Sequence, residues 1–156
     1  MVRDGVNLPT AADSADYLGA ITAHAVFLLA SLVFVFRLAE WPRAETWAGW
    51  AFVSTGMPLI VLLALGVARS RPPLYLVQVG VMLLFVVVLL LLEHVLHVDF
   101  RRSRWAVIGF VMLFFAGLGG MLGVAARAGH GWLISSVTLF FATGTLAFVQ
   151  RAITGR

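Results

Sequence analysis

The sequence predicts an all-α integral membrane protein, a five-transmembrane-helix bundle joined by short loops. Three observations lead there. Five apolar stretches recur along the chain, each about 19–24 residues, enough to cross a hydrocarbon core of roughly 30 Å at 1.5 Å per residue. Hydrophobic residues make up 62% of the chain and charged residues 12%, about half the charge of a soluble domain. Mean hydropathy is +1.01. The spans occupy roughly two-thirds of the 156 residues, so residues 1–156 read as one membrane domain without room for a soluble one. In lipid each backbone polar group must be satisfied within its own segment, which selects helices.

The first span covers Tyr17–Phe36. Its leader carries Asp4, Asp13 and Asp16 against Arg3 alone, whereas a signal peptide wants a positive leader and a short apolar core. A retained helix is expected. Thr10 reads as its cap, with Asp13 three residues on completing a capping box. The second span covers Trp47–Ala68 and the third Tyr75–Val98, the latter opened by Pro72-Pro73. The fourth covers Trp105–Ala126 and the fifth Trp132–Gln150. Residues 128–131 leave room only for a tight hairpin between these last two. All five tryptophans, with Tyr17 and Tyr75, fall near predicted interfaces, as an aromatic belt requires.

Five spans put the termini on opposite sides. Arg3, Arg69, Arg71 and Arg127 fall on the amino-terminal side. Arg37, Arg43, Arg101, Arg102, Arg104, Arg151 and Arg156 fall on the other. Seven against four predicts an amino terminus outside the cell membrane and a cytoplasmic carboxyl terminus. The isoelectric point of 11.1 follows from these arginines at span ends, facing lipid phosphates. No basic face is laid out to track a nucleic-acid backbone. Cysteine is absent, which removes disulfides and thiolate chemistry.

Charged groups inside a span cost on the order of 2.5–3.5 kcal/mol near its centre, so they are functional candidates by default. Glu93, His94 and His97 form the one such cluster. Glu93 and His97 share a helix face, but Glu93 lies about 27 Å along the axis from Tyr75, near the far interface. An interfacial pair, with His97 or with a loop arginine such as Arg101, is the simplest reading. A proton relay is the sharper one, since imidazoles titrate near neutral pH. A closed metal site needs a fourth ligand, and His24, about 10 Å in from the opposite surface, is badly placed to give one. No metal and no cofactor is expected.

His24 sits at the depth of Thr22, Gln78, Ser135, Ser136 and Thr138, which are expected to hold one imidazole by interhelical hydrogen bonds. A small polar pocket is the alternative. Gln78, Met82, Phe85 and Leu89 make one helical stripe toward Glu93, expected to face the bundle interior. In the fourth span Ala116/Gly120 and Gly119/Gly123 are small-xxx-small pairs, suited to close helix packing within the bundle, against a second copy, or against another subunit. Asp99 with Arg101, Arg102 and Arg104 is placed for a lipid head group or an ordinary positive-inside loop.

No catalytic motif is present: there is no phosphate-binding glycine loop, no Gly-x-Ser-x-Gly and no His-Glu-x-x-His. The expectation is a small non-catalytic membrane protein that works by helix packing, as an accessory subunit or a homo-oligomer, with membrane lipids and other membrane subunits as partners. The rival is a small transporter or proton-coupled channel using Glu93, His94 and His97.

Overall fold

A computed structural model of the chain describes residues 12–96 and 103–154. They form six α-helices: α1 (Ser14–Leu38), α2 (Pro42–Ser54), α3 (Gly56–Ala68), α4 (Pro73–Leu89), α5 (Arg104–Ala126) and α6 (His130–Thr154). A π-helical turn, Leu90–Val95, continues α4. There is no strand among the described residues. Five helical runs are long and apolar enough to cross a membrane: 14–38, 42–68, 73–93, 104–126 and 130–153.

The start of α1 differs from the sequence expectation. Asp13, not Thr10, is the N-cap, and its carboxylate accepts from the Ala15 and Asp16 backbone N–H groups. Asp16 completes the capping box. A carboxylate caps as well as a hydroxyl does, and two acids here also match the positive end of the helix dipole. Thr10 lies outside the described residues.

The second span is two helices, broken at Thr55. Pro58 explains the break: it has no N–H to donate and its ring crowds the carbonyl four residues back, that of Ser54. The hydroxyls of Ser54 and Thr55 donate to Ala51 and Phe52 carbonyls at 2.6 Å each. Phe52 O also accepts from Thr55 N–H at 3.0 Å.

Two helix ends share one device. Glu40 and Ser70 adopt positive φ, 54° and 50°. At the first, Trp41 N–H donates to Phe36 O and Glu40 N–H to Arg37 O. At the second, Arg71 N–H donates to Gly66 O and Ser70 N–H to Val67 O. Both are Schellman closures built without the usual glycine. Trp41 stacks on Phe36, 6.3 Å between ring centres. By contrast, the α5–α6 hairpin turns at Gly129, φ 127°, a conformation that side-chain-bearing residues rarely adopt.

The spans close into a ring in chain order, and α1 also packs across it against α5. Small residues on α1 make that central place possible. A Cβ at Gly19 would meet Val124 at 2.8 Å, and Ala20, Ala23 and Ala30 are buried. α1 and α6 run parallel, so the described chain starts and ends at opposite ends of the bundle. An aromatic layer fills the middle: Phe85 lies 5.1 Å from Phe110, 5.2 Å from Phe114 and 6.1 Å from Phe52.

Candidate functional site

Glu93 sits in the π-helical turn, where Leu96 N–H reaches back five residues to Leu91 O at 2.8 Å. The wider turn advances the chain by about one extra residue, so side chains beyond Leu90 lag behind α-helical register. Upstream, Met82 and Phe85 are buried and Gln78 and Leu89 half-buried, so the stripe does face the interior. The turn then delivers Glu93 to a cleft of about 300 Å³. Val33 and Arg37 of α1 form one wall, and Glu45, Thr46, Gly49 and Trp50 of α2 form another. The Arg37 guanidinium donates through Nε and Nη2 to Glu45 Oε1, at 2.7 and 2.6 Å. That pair spans the turn between α1 and α2. His97, Arg101 and Arg102 lie outside the described residues, as does the His94 side chain. Arg104 opens α5 and is exposed. Ser103 caps that helix, its Oγ accepting from Ala106 N–H at 3.5 Å.

At the opposite end His24 bridges α1 and α6. Its Nδ1 lies 2.9 Å from Ala20 O and its Nε2 2.7 Å from Ser135 Oγ. The carbonyl only accepts, so Nδ1 carries the hydrogen. Ser135 Oγ donates within its own helix to Gly131 O at 3.0 Å. Ser136 Oγ lies 3.5 Å from Nδ1, and Trp132 meets the imidazole edge-on, 4.9 Å between centres. Other residues expected here go elsewhere. Thr22 and Thr138 donate to their own helices, at Leu18 O and Ile134 O. Gln78 is directed at Gly123 of α5. Equal depth did not mean a shared face.

Sequence reasoning missed a second polar contact one heptad further on. Ser31 Oγ and Thr143 Oγ1 are 2.8 Å apart. Ser136, Thr143 and Gln150 are all buried, and their seven-residue spacing puts them on one face of α6. That face meets α1. Beside it runs an exposed stripe of small residues at alternating spacings of four and three, Gly131, Ser135, Thr138, Ala142, Thr145, Val149 and Ala152, of which Ser135 also reaches back to His24 of α1. This heptad spacing is what a helix needs to seat a second helix along its length.

The glycines of α5 divide. A Cβ at Gly120 would lie 3.0 Å from the Gln78 carbonyl oxygen and one at Gly117 would lie 2.9 Å from Met82 Sδ. A Cβ at Gly123 would overlap the Gln78 carboxamide, whereas Gly119 has open space. Ala116 is exposed. The close approach therefore runs along Gly117, Gly120 and Gly123, every third residue, and it is to α4 of the same chain.

Asp13 ties the amino-terminal end together. Its Oδ2 accepts from Arg69 at 2.6 Å and Arg71 at 2.8 Å, and Arg71 also reaches Asp16 at 3.2 Å. The Asp16 backbone hydrogen bond, with these guanidiniums, holds the Asp13 carboxyl below its ordinary value. Arg127 lies over the Tyr75 ring, 5.2 Å from its centre. Among the described residues no three His, Asp or Glu side chains gather as metal ligands. Comparison with known proteins gives no match: no family model, no curated protein and no solved structure is similar to this chain.

Proposed function

We propose that this chain is a small non-catalytic integral membrane protein that works by helix packing, joining either a larger membrane complex or a second copy of itself. The observation that carries this reading is the outward stripe of α6. It is small at six of seven positions, heptad-spaced and exposed from Gly131 to Ala152. α6 also buries the smallest share of its apolar window, 11% against 39% for α1. Lipid gives helices no hydrophobic reason to associate, so small residues and hydroxyls that allow close approach become the means of association. Gly117, Gly120 and Gly123 of α5 are engaged with α4, which leaves only Ala116 and Gly119 of the fourth-span pairs open and shifts the expected interface toward the fifth span. The arginine bias favours the cell membrane with the amino terminus outside, and Arg104, exposed beside Trp105, suits a lipid head group.

Because the chain has no cysteine, a single introduced thiol is an unambiguous probe. A photoactivatable maleimide on Ala142→Cys should cross-link a second polypeptide in native membranes. The same label on Leu84→Cys, exposed on α4 at similar depth, should meet lipid alone. Equal yields at both positions, or none at position 142, would contradict the reading.

A small transporter or proton-coupled channel is the second reading, favoured by Glu93 lying in a cleft with Arg37 and Glu45. Spacing weighs against a continuous relay from there. His24 and Ser31 are seven residues apart, about 10 Å along the axis, too far for direct proton transfer. Proton flux in liposomes that Glu93→Gln abolishes would favour transport; flux unchanged by the substitution would remove it.

A further inference from the structure

We propose that the α4–α5 seam, at the end of the bundle that holds Asp13, binds a phosphate group through Arg127 and Gln78. Three polar side chains gather there with no hydrogen-bond partner among the described residues. Arg127 closes α5 half-buried, and its guanidinium lies over the Tyr75 ring, 5.2 Å from the centre. A ring face holds the cation but offers no oxygen to its five N–H donors. Tyr75 itself is 3% exposed, and its hydroxyl is the second of the three. The third is the half-buried Gln78 carboxamide, which fills the space that a Cβ at Gly123 would need. Gly123 and Arg127 are four apart on α5, and Tyr75 and Gln78 three apart on α4, so these groups line one seam. Buried polar groups are nearly always hydrogen-bonded, and the bilayer core has no water to supply the bonds. Open donors gathered in this way call for a ligand.

Charge selects an anion. Arg69 and Arg71 are held by Asp13, and Arg71 also by Asp16, whereas no described carboxylate meets Arg127. Among these five groups, three guanidiniums against two carboxylates leave one positive charge. The planar fork of arginine matches phosphate oxygens two at a time. Depth agrees. Arg127 stands where α5 ends, the level at which arginines meet lipid phosphates, and Gln78 lies about 7 Å inside the start of α4. In a diacyl lipid the ester carbonyls follow the phosphate inward, which suits a carboxamide donor below the guanidinium. The phosphate therefore has two sources, a phospholipid or inorganic phosphate from water. No residue of α6 takes part, so the site is independent of the packing role.

Two measurements on the full chain, freed of lipid in a nonionic detergent, test it. Isothermal titration with inorganic phosphate reads the free source. Native mass spectrometry after mixing with phosphatidylglycerol, or with diacylglycerol of the same chains, reads the lipid source. Saturable phosphate binding, or retention of one phosphatidylglycerol over the diacylglycerol, supports the site and says which source it uses. Arg127→Gln should weaken that binding at least tenfold, and Gln78→Leu should do the same to the lipid. Arg43→Gln, which removes an equal charge at the other end, should leave it unchanged. The lipid-free Gln78→Leu protein should melt no lower than the parent, because no hydrogen bond within the chain is lost. Should Arg127→Gln fail to fold, Arg127→Lys carries the test, since it keeps the charge and loses the fork. Binding of neither probe, equal retention of both lipids without phosphate binding, or full affinity in both Arg127 variants would overturn the proposal.

Discussion

Replacing glycines of α5 one at a time with alanine should separate close packing from mere helix composition. At Gly120 the new Cβ would stand 3.0 Å from Gln78 O and 3.2 Å from its Cα. Ordinary contact between carbon atoms is about 3.5–4.0 Å, so α4 and α5 must part by several tenths of an ångström. The obstacle is backbone, which cannot swing aside. Overpacking of this kind costs about 1–3 kcal/mol, while alanine returns about 1 kcal/mol of helix propensity. The net expectation for Gly120→Ala is a loss of about 0–2 kcal/mol by the same principles. Gly119→Ala is the control. Its Cβ would have nothing within 4 Å, so only the propensity gain remains. Gly123→Ala should fall between them, because its obstacle is the movable Gln78 side chain. Equilibrium unfolding in mixed detergent micelles, followed by circular dichroism, should rank the three as 119, 123, 120 in falling stability. A Gly120→Ala protein as stable as Gly119→Ala would refute the α4–α5 contact.

Other expectations follow from single contacts. Asp13 has a lowered folded-state pKa, so its stabilising contribution is complete above its ordinary value of 3.8 and is lost as pH falls through the lower folded value. Asn caps helices about as well, so Asp13→Asn should keep α1 while flattening the acid limb of a stability–pH curve; an unchanged limb would contradict this. Ser70→Gly relieves a left-handed residue at a Schellman closure and should stabilise by about 1 kcal/mol; thermal melts that fall instead would argue against that backbone. Thr143→Val removes the hydroxyl facing Ser31 at nearly constant shape and should cost about 0.6 kcal/mol, visible as a small drop in micelle unfolding.

The spans were legible in the sequence because the bilayer sets their length and forbids unsatisfied backbone, so hydropathy alone carries the information. Pro58 announced a break in the second span, yet an apolar run of that length reads as one helix unless proline's missing donor is weighed. Faces were harder. His24 and Gln78 share a depth, but only rotation about the helix axis decides that one meets α6 and the other α5. The glycine pattern was visible as pairs four apart, whereas the close contact follows the residues three apart, since the neighbour's crossing angle selects the ridge. Nothing in Leu89–Leu92 signals a π-helical turn, so Glu93 could not be placed beside Arg37 and Glu45 in advance. The α6 stripe is written plainly as spacings of four and three. What the sequence leaves open is that Ser136 and Thr143, with Ser135 at the edge, turn toward α1 while Ala142 and Val149 stay exposed.

Native mass spectrometry of the protein, extracted gently from its own membrane, is the most direct test of the packing role. A discrete assembly, with a second copy or with other polypeptides, that falls apart in the Ala142→Leu variant while the monomer stays folded is the predicted result. A parent protein that leaves the membrane as a lone folded monomer, carrying no other chain, would contradict it.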